Sequence, residues 1–513
     1  MSPATTPALL LAAQTGELPS AASPLVVGVG VVYFAVVLAI AVWASRRTRT
    51  REDFYLAGKG IGLIALTLAA MASTFSGFTF IGGPGLLFAT GLGAMFFVLP
   101  ASVTNAFTVW VVAKRLRLLV EVRPVLSIPG AIGLRYGSRA AQGWAGAAVL
   151  AGIIGYMATN VLALGLVLDA LFGVGLGWGI WIGTTVVLVY SATGGILAGI
   201  YTDVFQGTIM AAASVLVFMY ALDAGGGLGS ISTTLLVADP DFMSPWGSFT
   251  PIAALSLYLL FSIGVVGQPH VMHKFFMIRD PFRLKWYPVL VTIAMALVIL
   301  LMFGVGLSYK ALVVTGQAPV PDPADNTAPL FLLQHTPRLL AAVVFSGIAA
   351  AMMSTVDAFL NVGAAAITHD IPTALGRPLE DELRAGRIAT VLLAVVSGIV
   401  AQTSGTLVAL LGIAGYGLLA SALVPALAVG LNWPGATRSA AIASIATGLV
   451  SSLLLGLLTW GGAGEPILSV PEGITVSAMT LILSLGVFLV VSAVTRGGTM
   501  DELDDDVRLA LEL

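Results

Sequence analysis

The sequence predicts an all-α integral membrane protein of about thirteen transmembrane helices, and three observations carry that reading. Of 513 residues, 58% are hydrophobic and only 9% are charged, against about 25% charged in an ordinary soluble domain. Apolar runs of about 20 residues, the length that crosses about 30 Å of hydrocarbon, recur from Leu25 almost to the C-terminus. The Lys and Arg residues fall almost entirely on alternate connections between those runs.

The runs cover 25–45, 62–89, 91–113, 143–170, 175–194, 199–222, 251–271, 286–309, 339–366, 387–404, 406–431, 439–460 and 474–494. With residues 1–24 as an external tail, 21 of the 23 Lys and Arg lie on the cytoplasmic side, and only Lys310 and Arg338 lie outside. A shifted count would scramble that bias, so it supports thirteen spans in a cell membrane, N-terminus outside and C-terminus inside. The first 24 residues lack a basic n-region and read as a loose tail, not as a signal peptide. Residues 223–250 and 311–337 read as external loops, and the acidic stretch 495–513 as a solvated cytoplasmic tail.

Several function classes drop out. Zero cysteines exclude thiol catalysis, disulfides and thiolate metal sites. A net charge of -2 offers nothing to nucleic acid. His270, His273, His335 and His369 do not form a metal cluster, and no nucleophile–base arrangement or phosphate loop appears, so neither an enzyme nor an ATP-driven pump is expected.

Two sets of five spans, 62–222 and 251–431, enter the membrane from opposite sides. Residues 25–61 precede them with one extra span and a linker, and 432–494 add two peripheral spans. Each set opens on a damaged helix: "AAMASTFSGFTFIGGPG" at 69–85, and "GVVGQPHVMHKFF" at 264–276 with Gly267 and Pro269 in the run. Paired broken spans in inverted halves point to the binding site of a secondary transporter. A break at membrane depth frees carbonyl oxygens, tolerable only where protein, ions or water satisfy them. Together with Ser and Thr hydroxyls they suit a small hard cation such as sodium; Gly and Ser would equally allow close helix packing.

The span 339–366 carries Ser346, Ala350, Ser354, Asp357, Asn361 and Ala364 at spacings of three and four, with Thr355 adjoining that face. Polar groups there are costly unless they meet a cavity or another helix, although Ser and Thr also bond back to their own helix carbonyls.

At this point the residues resemble a known family, the sodium:solute symporters, relatives of bacterial proline, pantothenate, sialic acid and monocarboxylate carriers and of sodium/glucose transporters. The resemblance rests on "TREDFYLAGKGIG", "ASTFSGFTFIGGPG", "SATGGILAGIYTDVFQGTIM", "GQPHVMHKFF" and "AAAMMSTVDAFL", five signatures in order. It implies a five-plus-five inverted-repeat core of the LeuT type, with one helix before and two after. It also implies a sodium site made by the carbonyls of Ala72, Phe75 and Ala351 and the hydroxyls of Ser354 and Thr355, weak enough to release its ion. Asp203 matches an acidic position that some members place on the sodium exit path or in a second sodium site; an interfacial carboxylate favoured by a helix start is the alternative. Asp357 and Asn361 read as coupling or structural residues.

Substrate is expected beside the two breaks. The candidates are Thr74, Ser76, Phe78 and Thr79, then Tyr156 and Asn160, then Phe261, Gln268 and Pro269, and Tyr416. Proline carriers of the family have Asp, Trp and Tyr where this chain has Thr74, Phe261 and Val265, which argues against proline. Sugar carriers have amides where it has Thr74 and Thr79. No Lys or Arg lies in mid-membrane in any span, so a di-anion would lack a countercharge, and a small monocarboxylate or amino acid is favoured. His270 is expected as a strut or gate element. The expected activity is sodium-coupled import by a monomer through alternating access. A solute sensor with a separate signalling partner, or proton coupling through Asp203 or Asp357, are the alternatives.

Overall fold

A computed structural model of the chain describes residues 24–46, 57–404, 408–459, 474–495 and 503–512. The tail 1–23 therefore lies outside the described residues. The described chain is helical throughout, with one isolated bridge between Ile61 and Ile278.

Helix α1 (Pro24–Ser45) precedes the core. The first repeat then runs through α2 (Leu63–Thr74), α3 (Gly83–Thr90), α4 (Met95–Thr108), α5 (Lys114–Val122), α6 (Ile128–Arg135), α7 (Arg139–Phe172) and α8 (Leu176–Ala224). A short α9 (Leu228–Ala238) leads to the second repeat: α10 (Pro251–Gly264), α11 (Pro269–Met272), α12 (Tyr287–Val314), α13 (Thr327–His335), α14 (Arg338–Ala365), α15 (Ile371–Ala374), α16 (Glu382–Thr403) and α17 (Val408–Val424). Helices α18 (Arg438–Thr459), α19 (Val476–Val494) and α20 (Asp505–Glu512) follow.

Burial sorts these helices into core and periphery. In their most apolar windows α14 is 82% and the run from Val408 is 83% buried, against 28% for α18. Helix α7 packs on α17, α14 and α16, while α8 packs on α12, α14 and α1. Lipid thus faces α18, α19 and the outer flank of α16, where Leu392 and Val490 are exposed.

Among the described residues, nine helices are long and apolar enough to cross a membrane, or ten with one bent pair. The expected thirteen do not appear as thirteen separate long helices. Helix α2 is short because its span is broken, and the runs 175–194 and 199–222 are one helix of 49 residues, about 74 Å if straight and twice the hydrocarbon thickness. Its two ends nevertheless share one rim. Trp181 donates to Gln402 at the end of α16 (2.7 Å), and Ala221 accepts from Ser308 near the end of α12 (2.7 Å). Both α12 and α16 start on the rim that carries the basic residues, so α8 turns back on itself and makes two passes.

Basic side chains on that rim act as staples. Arg117 donates to Ile278 O (2.8 Å), Arg135 to Gly430 O (2.7 Å), and Arg438 to Tyr136 O (3.1 Å). Each satisfies a loop carbonyl that no helix ladder reaches. On the opposite rim the stretches expected as loops contain α9 and α13, and Lys310 lies 4.6 Å over the Phe88 ring and 5.1 Å over Phe242. There Asp325, just outside the spans, accepts the Val408 amide at 2.8 Å and caps α17. Burial pushes its carboxyl up to about 6, against the lowering effect of that hydrogen bond.

The C-terminal segment corrects its expectation. Instead of a solvated end, α20 buries Val507, Ala510 and Leu511 against the basic α5. Arg123 meets Asp504 (2.5 Å) and Asp506 (3.1 Å), and Arg115 donates to Leu511 O at 3.0 Å. The docking follows from an apolar stripe at spacings of three and one, with acidic residues at the positive end of the helix.

Two predictions follow from these rims. Arg123→Ala loosens α20, so amide exchange of residues 503–512 accelerates by about tenfold or more in low salt while the spans are unaffected; unchanged exchange would show that the apolar stripe alone holds the helix. For Asp325, whose folded pKa is raised, the stability linked to its protonation is complete below about pH 4 and is lost as pH rises through about 6. The neutral isostere Asp325→Asn therefore raises the melting temperature at about pH 7.5, by the equivalent of about 3 kcal/mol, and raises it less at about pH 5. A pH-independent difference would refute the assignment.

Candidate functional site

The first break is a change of hydrogen-bond partner. Phe75 N still bonds Met71 O (2.9 Å), but the residue itself is extended, φ -92° and ψ 109°. A continuous helix would aim Gly77 N at Ser73 O and Thr79 N at Phe75 O. Instead Gly77 N bonds the Asn160 side chain (3.0 Å), and Thr79 N bonds Ser76 O (2.9 Å). The Ser73 and Phe75 carbonyls thus leave the ladder. A wide helical turn, Phe78–Gly82, then leads into α3. The glycines there serve packing: a Cβ on Gly82 would lie 2.8 Å from Ala409 N, and one on Gly85 2.8 Å from Ala324 O.

The second break is stabilised by an amide as well. Helix α10 tightens into Val265–Gly267, Gln268 is extended, and Pro269 starts the next turn at a bend of 48°. Gln268 donates to Gly264 O (3.0 Å) and Tyr416 O (3.2 Å). Asn160 and Gln268, candidates for substrate contact, therefore hold the two breaks in shape.

Between the breaks, α8 and α14 lies a charged cluster. Asp203, 2% exposed, takes the Lys274 ammonium at 2.6 Å and the Ser73 hydroxyl at 3.4 Å on one oxygen, and the Ser354 hydroxyl on the other. Lys274 is 5% exposed, in the turn His273–Met277 below the second break. The bent span runs on to Met277, beyond the expected end at 271, and so takes in Lys274 near its end. Thr355 donates to Ala351 O at 2.9 Å. Both hydroxyls have thus placed their protons on acceptors, which leaves oxygen lone pairs for a cation. The adjoining cavity, lined also by Asp357, Asn361, His270 and His273, has about 30 Å³. That is room for a water or a small ion.

A second cavity of about 30 Å³ lies on the other side of the break, lined by Thr74, Phe75, Thr79, Tyr156, Phe261, Val265 and Tyr416, with Phe97, Val98 and Asn105 of α4. Its walls are aromatic. Phe261 stacks on Tyr416 at 4.6 Å, Phe97 lies 5.4 Å from Phe261, and Tyr156 meets Tyr416 edge-on at 6.1 Å. None of its lining side chains is charged, and Thr74 donates to its own helix at Ala70 O (2.8 Å). Ser76 lies beside Tyr156, Pro269 begins α11, and the Phe78 side chain lies outside the described ones. His270 packs between Tyr156 (5.9 Å) and Phe359 (4.4 Å), a wedge joining the two cavities.

The family model described as sodium:solute symporter family matches residues 54–448. The chain belongs to the sodium:solute symporter family. It is 28% identical to the osmoregulated proline transporter of Bacillus subtilis over 88% of this chain and 94% of that one. It is 27% identical to the sodium/pantothenate symporter of Escherichia coli, over 90% and 94% respectively. Among solved structures, a Na+-coupled sialic acid symporter in a substrate-bound outward-open state superposes with a TM-score of 0.75 at 19% identity, covering 93% of this chain and 99% of that one. The five-plus-five fold is thereby shown.

In this member of the family the structure gathers Thr74, Thr79, Tyr156, Phe261 and Tyr416 at one cavity and Asp203, Ser354, Asp357 and Asn361 at the other. Reading the sequence missed Lys274, Ser73 and the α4 residues Phe97 and Asn105. Lys274 stands four residues after His270, one helical turn further along, and that spacing was the available signal. Asn160→Ala removes the acceptor of a buried amide and is expected to lower stability by about 1–3 kcal/mol, read as a drop in melting temperature; an unchanged melting temperature would refute the role.

Proposed function

We propose that this sodium-coupled symporter of a small organic solute is an importer for compact carboxylates, monocarboxylates or amino acids. The observation that carries it is the pairing of an uncharged aromatic cavity with an ionic cavity that holds Asp203, Lys274 and the Ser354 hydroxyl, across one helix break. The relatives named for proline, pantothenate and sialic acid all take solutes that bear a carboxylate. Here no cationic side chain lines the aromatic cavity, so a single negative charge falls to the coupled sodium, neutral donors and the helix ends at the breaks.

Sodium is assigned to the carbonyls of Ala72, Phe75 and Ala351 and the hydroxyls of Ser354 and Thr355, with Asp203 on its way out. Neutral ligands bind weakly, as transport requires. The basic rim faces the cytoplasm under the positive-inside rule, which puts Asp203 and Lys274 between the ion site and the cell interior.

Equilibrium binding of radioactive sodium to purified protein, wild type against Ser354→Ala/Thr355→Ala, tests the assignment. Saturable binding in the wild type and a loss of at least about tenfold in the variant is expected. Equal binding by both folded proteins would refute this site.

A further inference from the structure

We propose that Lys274 is a tethered cation that occupies Asp203 whenever sodium does not, so that sodium entering the site must displace it and the returning ammonium expels sodium toward the basic rim. The proposal rests on the sodium site assigned above and goes beyond it, since it gives the release step its driving group.

Charge balance is the first argument. Asp203 supplies one negative charge in a buried place, and Lys274 already neutralises it at 2.6 Å. Sodium arriving at Ser354 meets a hydroxyl whose proton rests on that same carboxylate. Two cations would then meet at the one Asp203 carboxylate within a few ångströms, where like charges repel strongly in a low-dielectric site, while Asp357 is the second carboxylate on the cavity wall. On Asp203 itself there is one negative charge for one cation. Sodium and the Lys274 contact therefore weaken one another, and by linkage each sets the affinity of the other.

Placement is the second argument. Lys274 sits on the turn His273–Met277, beyond the 48° bend of a broken span, whereas Asp203 and Ser354 sit on the long helices α8 and α14. An ammonium carried on a short segment behind a hinge is able to leave and return. The cavity between them, with His270, His273, Asp357 and Asn361 on its walls, gives an ion a place to pass.

Residue type is the third. Lysine presents a compact charge on a flexible stem, close in character to a bound monovalent ion, whereas arginine would grip both carboxylate oxygens as a fork. Ser354 already holds one of those oxygens. The site is thus built for a point charge that lets go. When no sodium is bound, the lysine also spares the carrier a buried unpaired carboxylate during its return, a state costly enough to invite a proton.

The test compares sodium binding and sodium-dependent melting in Lys274→Met, Lys274→Arg and the charge-neutral pair Lys274→Met/Asp203→Asn. Removing the competitor is expected to tighten radioactive-sodium binding in Lys274→Met by at least about tenfold and to give it a larger sodium-induced rise in melting temperature than the wild type shows. Sodium-driven uptake slows in the same variant because release is impaired. Lys274→Arg is expected to bind sodium more weakly than wild type. The double variant restores stability in sodium-free buffer without the tight binding, which separates competition from damage to the fold. Unchanged or weaker sodium binding by folded Lys274→Met would overturn the proposal. Should Lys274→Met fold only in sodium, that dependence itself supports it; should it not fold at all, Lys274→Gln is measured by the same criterion. Absence of saturable sodium binding in the wild type would instead sink the underlying sodium assignment.

Discussion

Backbone groups freed at membrane depth must find their partners inside the protein, because the surrounding lipid offers none. That constraint decides how the two broken spans are built. At the first break the Asn160 carbonyl oxygen takes the orphaned Gly77 amide, and at the second the Gln268 amide takes the Gly264 and Tyr416 carbonyls. A break without such a partner would leave groups costing several kcal/mol each at membrane depth. The same constraint governs charge: Asp203 is held among an ammonium and two hydroxyls.

Much of this was legible from residue types. The helix breakers at 75–85 and 267–269 marked the broken spans, and the spacing Ser346, Ser354, Asp357, Asn361 marked the polar face of α14. What hydropathy could not show was where the second broken span ends. An apolar window loses its signal at His273–Lys274, although the chain stays buried through Met277. A charged pair inside a protein is apolar to its surroundings only as a pair, and its two members stand 71 residues apart in sequence. Hydropathy reads one residue at a time along the chain, so it assigned Lys274 to a loop.

Sequence alone was also silent on a structural role of two amides and on the docking of the acidic C-terminus. Asn160 and Gln268 read as solute contacts because polar side chains in spans are commonly functional. The structure adds that they stand in for missing backbone partners, a role visible only once the backbone path is known. The stripe Val507, Ala510, Leu511 is too short to stand out from a run of acidic residues, and only the basic surface of α5 gives it somewhere to dock. In both cases the deciding partner comes from a distant stretch of chain.

The placement of the two cavities gives coupling a physical form. Consecutive residues at the first break serve different cavities: Ser73 touches Asp203, while Thr74 and Phe75 line the aromatic pocket. A shift of that one segment therefore alters both at once. His270 repeats the arrangement at the second break, lining the ionic cavity and packing on Tyr156 of the aromatic one. Each cavity has only about 30 Å³, far below the roughly 300 Å³ of a pocket for an organic ligand, so on the solute placement proposed above the aromatic walls would have to open for entry. Thr74 follows Ser73 in the chain, and Tyr156 packs on His270. On the solute and ion placement proposed above, both would act on the same segments from opposite sides, which is the requirement for thermodynamic coupling between them.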